Sequence, residues 1–198
     1  MMDMPDKQVR VVVMGNSRVG KSSLIRRYIT PSHKPVDNNA EVDFVTHIVK
    51  YDGKTVQLQI WDSAGLETNE YHTVTPSYFR GADVIVLLYD VSVKASFDDL
   101  ASWITRVGQV ASPDSQKIVV GNKCDLTLER VISSEEAEQF SNSRLQAAYM
   151  ETSATKNINV TDLFNEVMKT ALSSTSREVN PSQTPPPPSG GGIKCTLL

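Results

Sequence analysis

Eight residues carry the clearest chemical pattern in the chain. Gly15-Asn16-Ser17-Arg18-Val19-Gly20-Lys21-Ser22 has the spacing G-x-x-x-x-G-K-[ST]. Glycine at each end lets the backbone wrap so that its N–H groups point inward at phosphate oxygens, and a helix starting at Lys21 adds its positive end. The Lys21 ammonium is then placed to reach β- and γ-phosphates. The Ser22 hydroxyl is a hard oxygen suited to Mg²⁺, and Ser23 follows in the same first turn. By residue frequencies the bare pattern arises by chance in about one chain in a hundred of this length. Here it stands after a β-branched apolar run, Val9 to Met14, and before helical spacing, which is the context the motif requires. It indicates a nucleoside phosphate and leaves the base open.

A second constellation addresses the base. Asn122-Lys123-Cys124-Asp125 follows an apolar run ending at Gly121, where open α/β sheets bind ligands beyond the carboxyl ends of their strands. A carboxylate accepts from both the N1–H and the exocyclic amine of guanine. Adenine has no such donor pair, so Asp125 would select the base. Thr152-Ser153-Ala154, with Thr155 next, follows the last apolar run and could present backbone N–H groups to the guanine carbonyl. Cys124 has nothing nearby that would depress its pKa, so it reads as a passenger rather than a reactive thiol.

The elements that must position these residues are legible from periodicity. Apolar runs at Val9–Met14, Val42–Val49, Val56–Trp61, Val84–Tyr89, Ile118–Gly121 and Ala147–Met150 predict strands. Helical spacing occupies Lys21–Tyr28, Ala95–Val110, Ser134–Asn142 and Val160–Leu172, and Ser133 with Glu136 has capping-box spacing. Tyr51-Asp52-Gly53-Lys54 is a turn signal joining two consecutive strands. The expected class is α/β: a mostly parallel six-stranded sheet with one antiparallel edge strand and helices on both faces.

Length and composition narrow the function classes. A chain of 198 residues supports one globular domain, and a formal charge of −3 supplies no positive field for nucleic acid. Two cysteines, Cys124 and Cys195, make no disulfide framework, which fits a reducing compartment. The opening Met1-Met2-Asp3-Met4-Pro5-Asp6-Lys7 lacks the basic and apolar regions of a secretion signal. The most apolar stretch, Val84 to Tyr89, is far below the roughly 18 residues a bilayer span needs. After Leu172 the composition turns to Ser, Thr, Gln and Pro, with Pro185 to Pro188 and then Gly190 to Gly192. This reads as a stiff and then flexible tether over residues 174–198, following a nucleotide-binding domain over residues 7–173.

With the phosphate loop, Asp62-Ser63-Ala64-Gly65, Asn122-Lys123-Cys124-Asp125 and Thr152-Ser153-Ala154 in this order, the chain resembles Ras-superfamily small GTPases from about Lys7 to Ser173. Within them it looks most like the Rabs, through Trp61-Asp62-Ser63-Ala64-Gly65, Tyr78-Phe79-Arg80-Gly81-Ala82, Ser96-Phe97 with Trp103-Ile104, and Glu151-Thr152-Ser153-Ala154. The resemblance implies a GTP/GDP switch with Mg²⁺, acting in intracellular vesicle and membrane traffic through effector proteins and served by exchange and activating factors. It implies that Asp62 holds Mg²⁺ through water, that Gly65 donates its N–H to the γ-phosphate, and that two switch segments rearrange on hydrolysis. It places Phe44, Trp61 and Tyr78 at an aromatic triad shaping the effector surface; the alternative is that these rings are ordinary core or scattered surface.

The chain departs from the family pattern at several places. Leu66 stands where the family has the glutamine that orients the attacking water, and leucine cannot hydrogen-bond water, so hydrolysis should be slow or deficient. Asn39 falls where the family has the threonine that coordinates Mg²⁺ and contacts the γ-phosphate; its carbonyl oxygen is a substitute, and the preceding segment Pro31 to Asn38 is about one residue short. Arg18 occupies a loop position usually small, where its guanidinium either contacts phosphate or lies in solvent. His33 sits near the aromatic that stacks on the guanine edge, with stacking and plain exposure both open. Thr68 to Pro76 is about two residues longer than the Rab pattern and lacks its usual Arg-Phe, and Thr155-Lys156 inverts the usual order.

Cys195-Thr196-Leu197-Leu198 ends the sequence as C-a-a-X with X = Leu, the form that a prenyltransferase geranylgeranylates. Lys194 is the nearby cation, so one isoprenoid with no polybasic patch suggests reversible attachment to the cytosolic face of an endomembrane or the plasma membrane. A competing class is a GTP-binding scaffold held in one state by Leu66 and Asn39. A third, an ATP-dependent phosphate-loop kinase, is opposed by Asn122-Lys123-Cys124-Asp125.

Overall fold

The computed structural model describes residues 5–31, 44–63 and 79–173. In chain order these form β1 (Lys7–Met14), α1 (Lys21–Ile29), β2 (Phe44–Tyr51), β3 (Lys54–Asp62), β4 (Val84–Asp90), α2 (Lys94–Asp98), α3 (Leu100–Val110), β5 (Gln116–Asn122), α4 (Ser134–Leu145), β6 (Ala148–Thr152) and α5 (Val160–Ser173). The six strands join in one sheet of order β2-β3-β1-β4-β5-β6. Pairing is parallel except at β2–β3, which makes the expected antiparallel edge. That hairpin closes through Asp52 and Gly53, both at positive φ, the conformation a two-residue turn between twisted strands requires.

The strands read as apolar runs because helices cover both faces. All seven residues of β4 are buried. Alternate residues divide the core: Val11 and Val13 of β1 join Leu24 and Ile25 of α1 and Leu163 and Phe164 of α5 on one side. On the other, Val12 and Met14 join Phe97 of α2, Leu100 and Trp103 of α3, and Ala137 of α4. At the start of α4 the Glu136 backbone N–H donates to Ser133 Oγ at 3.1 Å, the hydroxyl half of the predicted cap.

Two boundaries differ from expectation. The helix predicted over Ala95–Val110 divides at Asp99, whose φ of −69° and ψ of −13° keep the chain turning while α2 ends and α3 begins. The periodic pattern runs through because the two pieces share one apolar face, Phe97, Leu100, Trp103 and Val107. The last strand spans Ala148–Thr152, one residue later than expected at its start. Val42 and Asp43 of the predicted second strand, and the tail from residue 174 with its Pro and Gly runs, lie outside the described residues. Among the described residues no helix is long and apolar enough to cross a membrane.

Candidate functional site

The chain runs from β1 to one side of the sheet and from β4 to the other, so the loop leaving β1 opens at the reversal of strand order. Gly20 ends this loop at φ 98° and begins α1, whose first turn has neither a side-chain cap nor an acid. The positive end of the helix is therefore left for an anion. A Cβ at Gly20 would lie 2.4 Å from Asn122 Nδ2, so the close approach of phosphate loop and base motif requires glycine. Within the loop, Lys21 is 4 % exposed and its ammonium donates to the carbonyls of Gly15 at 3.0 Å and Asn16 at 2.8 Å. Val19 is buried in the core, whereas Ser17, Arg18 and Ser23 are exposed; Arg18 takes a positive φ of 64°.

Ser22 Oγ donates to Asp62 Oδ2, bringing the hydroxyl after the phosphate loop against the carboxylate that ends β3. Both are hard oxygens, the donors Mg²⁺ prefers. Among the described residues no group of three or more His, Cys, Asp and Glu could hold a metal. A cation here would take one hydroxyl, one carboxylate and phosphate oxygens, so the residues present fit Mg²⁺ bound with a nucleotide.

The base motif is locked to the phosphate loop. Asn122 Nδ2 donates to the Val19 carbonyl at 2.8 Å and Asn122 Oδ1 accepts from Thr152 Oγ1 at 3.1 Å, so one amide bridges the loop after β1 to β6. Lys123 Nζ donates to the Arg18 carbonyl at 2.9 Å and pairs with Asp90 Oδ2 at 2.6 Å. Burial alone would raise the Asp90 carboxyl, but bonds from Lys123 and Ser92 outweigh it and hold the group below the usual carboxylate range. The Cys124 backbone N–H donates to Thr152. Burial pushes the Cys124 thiol pKa up, in keeping with an inert side chain. Asp125 Oδ1 is buried without a hydrogen-bond partner among the described residues. An orphaned buried acceptor at this point fits a ligand that brings its own N–H donors, as guanine does.

Ser153 and Ala154 are buried at the end of β6 and Thr155 is exposed. Their loop is held by Arg27 of α1, which donates from Nε to the Ala154 carbonyl at 2.7 Å and from Nη2 to Thr155 at 3.4 Å. Arg27 Nη1 also donates to the Pro31 carbonyl at 2.9 Å, tying the base loop to the start of residues 31–43. Sequence reasoning missed Arg27 and Asp90. The second had a signal, an acid closing the most apolar run at a strand's carboxyl end.

Behind the base loop lies a half-buried polar network. Glu151 receives both Arg130 Nη atoms, at 2.7 and 2.8 Å, and the hydroxyls of Ser134 at 2.8 Å and Tyr149 at 2.7 Å. Tyr149 spends its proton on Glu151, so Tyr89, 3.0 Å away, donates to Tyr149. Burial raises the Tyr89 phenol to about 12. Burial by itself would also raise the Glu151 carboxyl; the bonds from Arg130, Tyr149 and Ser134 win and lower it. A carboxyl depressed in the folded state contributes stability above its unfolded value, lost as pH falls through the folded value. Urea unfolding of the wild type should therefore show a midpoint that declines below pH of about 4.3, with Glu151→Gln flattening part of that decline. Parallel profiles for the two proteins would show that Glu151 carries none of it.

Phe44 and Trp61 face each other across β2–β3 with ring centroids 4.7 Å apart, and the Arg10 guanidinium lies 4.2 Å over Trp61. Trp61 is 5 % exposed and belongs to the core on its side of the sheet, while Phe44 is half-buried against it. Five predicted site residues, His33, Asn39, Gly65, Leu66 and Tyr78, lie outside the described residues, as does Cys195.

Comparison with known proteins agrees with this geometry. The Ras family matches residues 10–173. The Ras-related protein RABD2c of Arabidopsis thaliana is 40% identical over 160 residues, 80% of this chain and 78% of that one. The GTP-binding protein ypt2 of Schizosaccharomyces pombe is 39% identical over 80% of this chain and 78% of its own. The GTP-binding protein Rab-3D of Rattus norvegicus is 35% identical over 91% of this chain and 81% of its own. Ras-family proteins are GTPases that bind guanine nucleotide, generally with Mg²⁺. A phosphate loop on β1, a guanine-type base motif locked to it and this breadth of similarity identify the chain as a Ras-superfamily GTPase of the Rab branch.

Proposed function

We propose that this protein is a GTP/GDP switch for vesicle and membrane traffic whose GTP state is long-lived. The observation that carries the nucleotide reading is the buried, unpartnered Asp125 Oδ1 beside an Asn122 amide bonded to the phosphate loop. In this reading Gly15 to Ser23 wrap the phosphates and Lys21 moves from the loop carbonyls to the β- and γ-phosphate oxygens. Asp125 takes the guanine N1–H and amine, while Ser153, Ala154 and Thr155 cover the base, with His33 at its edge. Ser22, Asp62 and Asn39 hold Mg²⁺, which when bound neutralises charge on the β- and γ-phosphates. Gly65 donates to the γ-phosphate. Phe44, Trp61 and Tyr78 form the surface that effectors read in the GTP state, with exchange and activating factors setting how long that state lasts.

The long lifetime follows from Leu66, which has no atom to orient the attacking water. A geranylgeranyl group added by prenyltransferase to Cys195, at the end of the 174–198 tether, would hold the switch on the cytosolic face of a membrane. Leu66 and Asn39 together favour a second reading, a scaffold that binds GTP with negligible hydrolysis. Single-turnover hydrolysis of γ-labelled GTP by the Mg²⁺-loaded protein decides between them. We expect Leu66→Gln to hydrolyse at least tenfold faster than the parent, as a water-orienting group does in this chemistry. A parent that already turns over at the variant's rate would remove Leu66 as the reason for a long-lived state. A variant as inert as the parent would favour the scaffold.

A further inference from the structure

Both polar atoms of the Asn16 side chain are engaged by residues at the α2–α3 junction. Asn16 Oδ1 accepts from Trp103 Nε1 at 2.7 Å, and Asn16 Nδ2 donates to Asp99 Oδ2 at 2.5 Å. The backbone carbonyl of the same residue is one of the two on which the Lys21 ammonium rests, at 2.8 Å. One residue thus connects the phosphate-contacting lysine to the junction of α2 and α3. Trp103 is 6 % exposed and packed in the core, so that end of the connection is rigid.

The chemistry of the three groups is restrictive. An indole N–H only donates and a carboxylate only accepts, so the residue between Trp103 and Asp99 must accept from one and donate to the other. A short planar amide does both. A carboxylate at position 16 could serve Trp103 but would set two negative oxygens in the place of a 2.5 Å hydrogen bond. Positions 16 and 99 are therefore a complementary pair, amide with acid, and exchanging the two side chains restores one amide and one acid.

We propose that Asn16 is a positioning residue that clamps the phosphate loop to the α2–α3 junction through Asp99 and Trp103, and that retention of bound nucleotide depends on this pair being complementary. A partner that shifts α3 would act on the phosphate loop through the same clamp. The proposal rests on the guanine-nucleotide reading above.

The test is the dissociation rate of a fluorescent GDP from the parent, Asn16→Asp, Asp99→Asn and the double variant. Removing a charge-assisted bond and adding a like-charge contact should speed release from Asn16→Asp about tenfold. Asp99→Asn should change it little, and the double variant should return to within about twofold of the parent. The indole N–H resonance of Trp103, assigned by its loss in Trp103→Phe, should move in Asn16→Asp and return in the double variant. A general packing defect would not be repaired by a second substitution. Release from Asn16→Asp at the parent's rate, or a double variant that releases as fast as the single one or fails to fold, overturns the proposal. A parent that takes up no GDP would instead fail the nucleotide reading.

Discussion

Asp125→Ala is expected to weaken GTP binding about a thousandfold, the loss of two hydrogen bonds to a charged acceptor. Two donors of guanine, N1–H and the exocyclic amine, converge on one carboxylate in the proposed complex. Asp125 Oδ1 is buried without a partner among the described residues, so the protein already bears the cost of desolvating an acceptor that only a ligand satisfies. Without the carboxylate, both guanine donors would enter the same site unpaired. Asp125→Asn sharpens the test by exchanging one acceptor for a donor. Guanine then meets a clash of donors at its amine, whereas xanthine, which carries a carbonyl at that position, gains a partner. Titration calorimetry with GTP and its xanthine analogue should show the preference invert between the parent and Asp125→Asn. Undiminished GTP affinity in Asp125→Ala would mean that the base is read elsewhere, and Asn122 and Lys123 would then be purely structural ties.

The parts of this site that were legible in the sequence are those where local rules and global fold agree. The phosphate loop is written in adjacent residues, and the need for glycine at each of its ends follows from the tight backbone wrap alone. The sheet was legible because strands covered on both faces read as apolar runs, and β4 is buried along its whole length. What the sequence concealed are contacts between residues remote in the chain. Nothing in a linear reading joins Asn16 to Asp99 or Trp103, because those bonds depend on how α2 and α3 dock against the loop after β1. In the sequence Lys123 is visible only as part of a tetrapeptide, although its ammonium bridges Asp90 and the Arg18 carbonyl. The division of the predicted Ala95–Val110 helix was hidden for another reason: Asp99 keeps near-helical dihedrals, so hydrophobic periodicity passes through it unbroken. Of the two sequence readings of Trp61, core and effector surface, the structure shows the core. Its ring is buried in one cluster and lies tilted against the half-buried Phe44.

Gly15→Ala should destabilise the fold by about 3 kcal/mol or more, and the reason is backbone rather than ligand. Gly15 adopts φ +145°, a region that L side chains rarely enter, and an added Cβ would lie 2.0 Å from the Leu88 carbonyl oxygen. That oxygen belongs to the fully buried β4, which is hydrogen-bonded to β1 on one side and β5 on the other, so it cannot retreat without distorting two ladders. The loop would have to move instead, withdrawing the Gly15 and Asn16 carbonyls from the Lys21 ammonium. Loss of stability and loss of nucleotide binding should therefore appear together, as a lowered urea midpoint at unchanged slope and a raised dissociation constant for GDP. Gly108→Ala is the matched control. It sits on the exposed side of α3, a Cβ there would meet nothing within 4 Å, and alanine's helix propensity should add up to about 1 kcal/mol of stability. Equal midpoints for Gly15→Ala and the parent would mean that the Leu88 carbonyl yields, and that the glycine is kept for the phosphate rather than for the strand beside it.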